Sequence, residues 1–254
     1  MRSALFGVLF RFFLIGIGLF PYSFVGVYLG EFATPIYWII AAITLHPVLD
    51  KKIWSLGLSK HDYINNWSFG LLLGAFSMLT VFTIVYFLGG HKIVSHQFNI
   101  NTLLVWMSIC FVVAFSEELL IRGYLYGFML KHFGVMISVI GSSLVFAVLH
   151  LSRSGFDIFA FSTLFLAGLV YALMRQKTGA IWLCFGFHFA WNFFSGVLGI
   201  WRDRTILIEV EVSQQSLING GMYGIEGSIV SVLFFLVLVT VVYVWNENSI
   251  GIKG

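Results

Sequence analysis

Apolar runs on the scale of a bilayer crossing recur along nearly all of this 254-residue chain. They fall at roughly 4–29, 35–49, 67–89, 102–130, 134–151, 157–174, 180–200 and 227–245. Few folds accept such a pattern, because in hydrocarbon each backbone N–H and C=O must find its partner within the protein. The expected fold is all-α, a polytopic membrane protein with about eight transmembrane helices. Composition agrees: 59% of residues are hydrophobic, 10% are charged, and the mean hydropathy of +0.96 lies far outside the soluble range. A net charge of +3 spread over few groups leaves no footprint for nucleic acid, so no such partner is expected.

The chain reads as one membrane domain in three parts. Residues 1–100 carry N-terminal spans and an interfacial segment, 101–200 form the core, and 201–254 hold a loop and the last span. The N-terminal run reads as a first span, not a cleaved leader, since Arg11 interrupts it and no A-x-A pattern follows. Thr34 and Pro35 suit the start of the second span and Pro47 its end. Asp50–Asn66, with Lys51, Lys52 and Lys60, reads as a segment lying along the headgroups.

Basic residues set the orientation. Arg2, Lys51, Lys52, Lys60, Lys131, Arg175, Lys177 and Lys253 fall on one side, against Lys92, Arg153, Arg202 and Arg204 on the other. Both termini are therefore expected in the cytoplasm, and 201–226 outside it. Within that loop Ile206, Ile208, Val210 and Val212 alternate, which predicts a short strand or hairpin. Small residues four apart (Gly70/Gly74, Gly168/Ala172, Ser195/Gly199) suit close helix contact. Trp54, Trp67, Trp106, Trp182, Trp201 and Trp245 suit an interfacial belt. Cys110 and Cys184 sit in apolar runs as small core residues. Arg11 is expected to snorkel or to pair internally. His46, His61, His91, His96 and His132 read as interfacial, and Arg153 with Asp157 as a solvated turn.

Ionisable groups deep in such spans are costly unless they pair, line a wet cavity or do chemistry. Glu117, Glu118 and Arg122 share one run, and helix geometry separates their jobs. Glu118 and Arg122 are four apart and can neutralise each other. Glu117 is rotated about 100° from Glu118 and is left without that partner. His150 follows Phe146 by four in another run, and Asn192 follows His188 by four in a third. At about 1.5 Å per residue from the inner boundary, Glu117, His188 and His150 lie roughly 20, 17 and 25 Å deep, which is one layer within a helical turn. A carboxylate beside an imidazole can deprotonate water, and burial raises its basicity. A second imidazole with a carboxamide can stabilise the oxyanion formed when that water attacks a carbonyl. Glu117, His150, His188 and Asn192 thus suit amide hydrolysis without a serine or cysteine nucleophile.

E-E-x-x-x-R (Glu117 to Arg122), F-x-x-x-H (Phe146 to His150) and H-x-x-x-N (His188 to Asn192), in that order on separate spans, resemble the CPBP family of intramembrane proteases. These are the CAAX-prenyl endopeptidases and bacteriocin-processing, or Abi, proteins. Lys177-Thr178-Gly179 and Gly224-Ile225-Glu226-Gly227-Ser228 are softer points of likeness. The resemblance covers roughly residues 100–200. It implies Glu117 as the water-activating base with His150, His188 and Asn192 as oxyanion stabilisers, and Glu118–Arg122 as a supporting ion pair. It further implies a membrane-embedded or lipid-modified peptide substrate and a bacterial cell membrane as the location. The charge bias puts the catalytic layer toward the outer face, whereas CAAX-type enzymes act on cytosolic tails.

No cofactor is expected. Zinc held by Glu117, His150 and His188 is the alternative, since three such ligands and a water make a catalytic site, although no H-E-x-x-H is present. A proton-coupled transporter using Glu117 and the histidines as a relay is a second reading. A non-catalytic bacteriocin-immunity scaffold, with polar residues that only specify packing, is a third.

Overall fold

The computed structural model describes residues 2–17, 32–51, 54–200, 206–214 and 216–245. In chain order these form α1 (Arg2–Ile17), α2 (Ala33–Val48), α3 (Tyr63–Phe87), β1 (His91–His96) and α4 (Ile100–Glu118). A π-helical segment (Leu119–Leu125) leads into α5 (Tyr126–Phe133), followed by α6 (Val135–Val148), α7 (Ile158–Thr178) and α8 (Trp182–Val197). β2 (Ile208–Val212), a helical turn over Ser216–Asn219, two short 3₁₀ turns and α9 (Ile229–Val244) complete the chain. The remainder of the first expected span, with Lys52, Trp201, Arg202, Arg204 and Lys253, lies outside the described residues.

The protein is an all-α polytopic membrane protein. Among the described residues three helices are long and apolar enough to cross a bilayer: α3, the rod Ile100–Phe133 and α7, with α2, α6 and α9 as shorter apolar helices. Side chains set several helix starts. Asn99 accepts from the backbone N–H of Asn101 at 2.9 Å and of Thr102 at 3.2 Å, Asp157 from Ala160 at 2.8 Å, and Ser228 from Ser231 at 3.1 Å. Gly179, with φ +66°, ends α7 in the left-handed conformation that glycine adopts without cost.

Loops alternate between two faces. On one, β1 pairs antiparallel with β2, from His91 opposite Val212 to His96 opposite Ile208. The alternating segment is therefore a strand, but its partner is the α3–α4 loop instead of a local hairpin. On the other face, Arg175 donates to the Ser55 carbonyl (3.1 Å), Trp182 to that of Ser59 (2.7 Å) and Lys177 to that of Trp245 (2.7 Å).

Small residues bring α3 against α8. A Cβ on Gly70 would collide with the carbonyl of Leu183, one on Gly74 with that of Phe187, and one on Gly186 with that of Trp67. Gly168 likewise lets α7 approach Ser143 of α6. This seats α8 deep in a core shared by Met78, Val81 and Val85 of α3, Ala147 of α6, Val170 of α7 and Phe235 of α9.

Of its two expected roles Arg11 takes the second and pairs internally: it pairs with Asp50, donates to Tyr124 Oη at 3.0 Å and stacks on Phe128 at 3.8 Å, while Tyr124 donates to Asp50 at 2.7 Å. Two other expectations change with the packing. Arg175 is buried, its guanidinium on the carbonyls of Arg122 and Ser55, so it is not an interfacial charge. Trp106 is a core residue at 3% exposure, seated over Gly196 and donating to the Phe193 carbonyl at 3.1 Å, not part of a belt.

Candidate active site

The two glutamates sit where α4 gives way to the π-helical segment. There the hydrogen bonding widens to i→i+5, as in the Tyr126 N–H to Ile121 carbonyl bond that closes it. Glu118 is fully buried and accepts two charged or polar donors, Arg122 Nη1 at 3.3 Å and His188 Nδ1 at 2.9 Å. Arg122, also fully buried, donates to the Gly168 carbonyl at 3.2 Å and lies 4.5 Å over Phe146 and 5.1 Å over Tyr171. The expected ion pair is present, but Glu118 has a second task that spacing along the chain cannot show. It fixes the imidazole of His188, which is further held by Tyr171 stacked on it at 5.2 Å.

Glu117 faces another way, as its rotation on the helix requires. It is 8% exposed, and its Oε2 is buried with no hydrogen-bond partner among the described residues. His188 Nε2 lies 3.9 Å from Oε2, too far for a direct hydrogen bond. Glu117 lines a cavity of about 230 Å³ whose walls include His150, His188 and Asn192. All four sequence-predicted site residues therefore meet at one cavity. The close imidazole is that of His188, whereas the reading from motifs coupled Glu117 to His150.

His150 lies just beyond the end of α6, and its Nδ1 is 2.8 Å from the carbonyl of Phe146. Only a ring N–H can satisfy a carbonyl, so Nδ1 carries the proton and Nε2 is left as acceptor. The same reasoning holds for His188: Nδ1–H donates to the Glu118 carboxylate, so neutral His188 presents its Nε2 lone pair on the Glu117 side.

Sequence reasoning missed several further walls of the cavity. Trp38 and Thr163 line it, and Trp38 Nε1 and Thr163 Oγ1 are buried there without partners among the described residues. Arg153 was expected to be solvated; instead it lines the cavity, 3.4 Å from Glu226 and 4.8 Å over the Tyr223 ring. Glu226 also accepts from Trp191 Nε1 at 2.9 Å. The traces in sequence were slight: Trp191 lies inside the His188–Asn192 motif and Glu226 inside the glycine-flanked stretch 224–228. Burial opposes the charge of Arg153, but Glu226, Tyr223 and Glu117 together more than offset it and hold its pKa above the ordinary value. Burial, and after it Glu226, raises the Tyr223 phenol well above its usual range, so it remains a neutral hydroxyl.

Glu117, His150 and His188 are not gathered as they stand into a metal centre: among the described residues no three His, Cys, Asp or Glu side chains are grouped closely enough to hold an ion.

Residues 99–194 match the family model described as type II CAAX prenyl endopeptidase Rce1-like. That stretch holds all three motifs, and its likeness to this family agrees with the sequence resemblance. No curated protein matches the chain.

Proposed function

We propose that this chain, through its Rce1-like domain at 99–194, is a CPBP-type intramembrane endopeptidase that cleaves membrane-associated or lipid-modified peptides with water activated by Glu117. One observation carries the reading. A buried carboxylate, whose Oε2 has no hydrogen-bond partner among the described residues, shares a cavity with two histidines and an asparagine, each histidine fixed through Nδ1. A scaffold or a proton relay gives no reason for an Rce1-like domain with this arrangement.

In the proposed reaction Glu117 takes a proton from water, and His150 Nε2 accepts the water's second hydrogen bond and aims its lone pair. The oxygen attacks the scissile carbonyl carbon, and the C=O electron pair moves onto oxygen. Asn192 donates to that oxyanion through its carboxamide. For His188 to donate as well, its Nε2 must carry a proton, since Nδ1–H is committed to Glu118. Collapse of the intermediate breaks the C–N bond, and Glu117 returns its proton to the departing amine. Glu118, neutralised by Arg122, positions His188 without touching substrate.

The proposed orientation keeps both termini in the cytoplasm of a bacterial cell. Lys51, Lys60, Lys131 and Lys177 lie on the face opposite the β1–β2 pair, while the cavity wall at Arg153 and Glu226 lies on the β1–β2 side.

The test is cleavage of a lipid-modified peptide by purified protein beside Glu117→Gln, His150→Ala and His188→Ala, each with and without a chelator. Chelator-resistant cleavage lost in all three variants is the expected result. Chelator-sensitive cleavage restored by zinc overturns the metal-free mechanism, and full activity of Glu117→Gln overturns the reading itself.

A further inference from the structure

A second cavity, of about 400 Å³, opens on the face opposite the β1–β2 pair and shares no wall residue with the Glu117 cavity. That volume lies in the range of small-molecule sites, about 300–1,000 Å³. Its walls come from the ends of α5 and α7 and from Trp54 and Ser55, and no acidic side chain is among them. They do carry two cations, Lys131 and Arg175. Among the described residues neither has a carboxylate partner: the arginines in ion pairs are Arg11, Arg122 and Arg153.

Arg175, 7% exposed, forms the floor, and Lys131, exposed at the end of α5, stands at the rim. A buried guanidinium stays charged, and a charge in such a place is costly unless something answers it. Carbonyls answer part of it: Nε donates to that of Arg122 at 3.3 Å and Nη2 to that of Ser55 at 3.1 Å. Nη1 makes no hydrogen bond among the described residues and is not sealed from the cavity. The group is held in place from both sides. A Cβ on Gly57 would lie 2.7 Å from Nε, and the Tyr126 ring flanks the guanidinium at 5.8 Å. Ser55 Oγ accepts the Gly57 N–H at 3.1 Å, which leaves its hydroxyl proton to donate.

The donors left over are therefore single points on separate walls: Nη1, the Lys131 ammonium and the Ser55 hydroxyl. A planar carboxylate is best held by two parallel N–H groups of a guanidinium. Both such edges of Arg175 include Nη2, which is already on the Ser55 carbonyl. A tetrahedral phosphate presents oxygens in several directions at once and suits scattered donors. We infer that this cavity binds the anionic phosphate of a phosphate ester, either a phospholipid headgroup or a soluble ester, between Arg175 and Lys131. Leu130, exposed on the same wall, gives the glycerol and acyl carbons of a lipid an apolar surface. Occupancy neutralises Arg175. Through the bond from Nε to the Arg122 carbonyl it also braces the π-helical segment that carries Arg122.

The experiment follows thermal unfolding of the full chain in maltoside micelles as the mole fraction of phosphatidylglycerol rises at fixed salt. One parallel arm uses phosphatidylcholine, and another uses soluble glycerol 1-phosphate without lipid. The expected result is a saturable rise in Tm of about 5–10 °C at a hundredfold excess over the apparent Kd, with little rise from phosphatidylcholine. Lys131→Gln should raise the half-effect concentration about fivefold and Lys131→Glu about 25-fold. Lys60→Glu, at an exposed lysine on the same face but outside the cavity, should move it at most about twofold. Arg175→Gln should remove the rise. That change also strips two carbonyls of their donor, so if it unfolds the protein the Lys131 series decides. A rise with glycerol phosphate that matches the lipid's assigns the site to a soluble ester, and a rise seen only with lipid assigns it to the headgroup. No rise from either source, or equal rises with phosphatidylglycerol and phosphatidylcholine, overturns the inference. So does an equal shift in Lys131→Glu and Lys60→Glu, or an undiminished rise in folded Arg175→Gln.

Discussion

Replacing Glu117 or Glu118 by glutamine should have unequal effects on stability, although the residues are adjacent and the change is the same. Among the described residues Glu118 is the carboxylate that pairs with buried Arg122, and it also accepts from His188. A glutamine oxygen can keep one of those donors, but its NH₂ must then face the other. Breaking a buried ion pair from one side costs about 3–5 kcal/mol. Arg122 keeps the Gly168 carbonyl and the faces of Phe146 and Tyr171, so the lower end, about 3 kcal/mol, is expected. At about 2–4 °C per kcal/mol for a chain of this size, Glu118→Gln should lower Tm by roughly 6–12 °C. Among the described residues Glu117 has no hydrogen bond to lose at Oε2, so Glu117→Gln should stay within about 1 kcal/mol or gain stability. Thermal unfolding in detergent, read beside peptide cleavage, separates the two roles: Glu117→Gln folded and inactive, Glu118→Gln destabilised and impaired. Equal drops in Tm for both, or an active Glu117→Gln, would refute the division of labour.

Thr163→Val removes a buried hydroxyl without a partner among the described residues; it should leave Tm unchanged or higher while cleavage falls about tenfold, the worth of one hydrogen bond to substrate. Gly70→Ala puts a methyl against the Leu183 carbonyl; it should cost about 1–3 kcal/mol and reduce cleavage too, because α8 carries His188 and Asn192, and circular dichroism melts with a cleavage assay check both. For the Arg11–Asp50 pair, Arg11→Met and Asp50→Asn should each destabilise, and the double variant should lose clearly less than the sum; additive losses in a double-mutant cycle would remove the pair as a stabilising unit.

Much of the site was legible because its residues break a strong background. Three polar clusters at helical spacing in apolar runs had few reasons to exist other than a shared interior, and Glu117, His150, His188 and Asn192 do line one cavity. The separate facings of Glu117 and Glu118 followed from 100° per residue alone. Contacts between distant segments left weaker traces. Arg153 resembled an ordinary turn arginine because its partners, Tyr223 and Glu226, lie about seventy residues away. The second task of Glu118 required knowing where α8 sits.

The pattern of apolar runs by itself determined that this chain is helical and membrane-bound, because lipid leaves the backbone no partner but its own. Helical periodicity likewise determined that one glutamate would pair with Arg122 and the other would not. What only the tertiary structure decided is the pairing across elements. Gly70, Gly74 and Gly186 bring α3 and α8 into backbone contact, and that approach seats His188 between two carboxylates. The loop after β2 then brings Glu226 to Arg153 at the cavity wall. Such contacts depend on the path of the chain through three dimensions, and local spacing carries no record of that path.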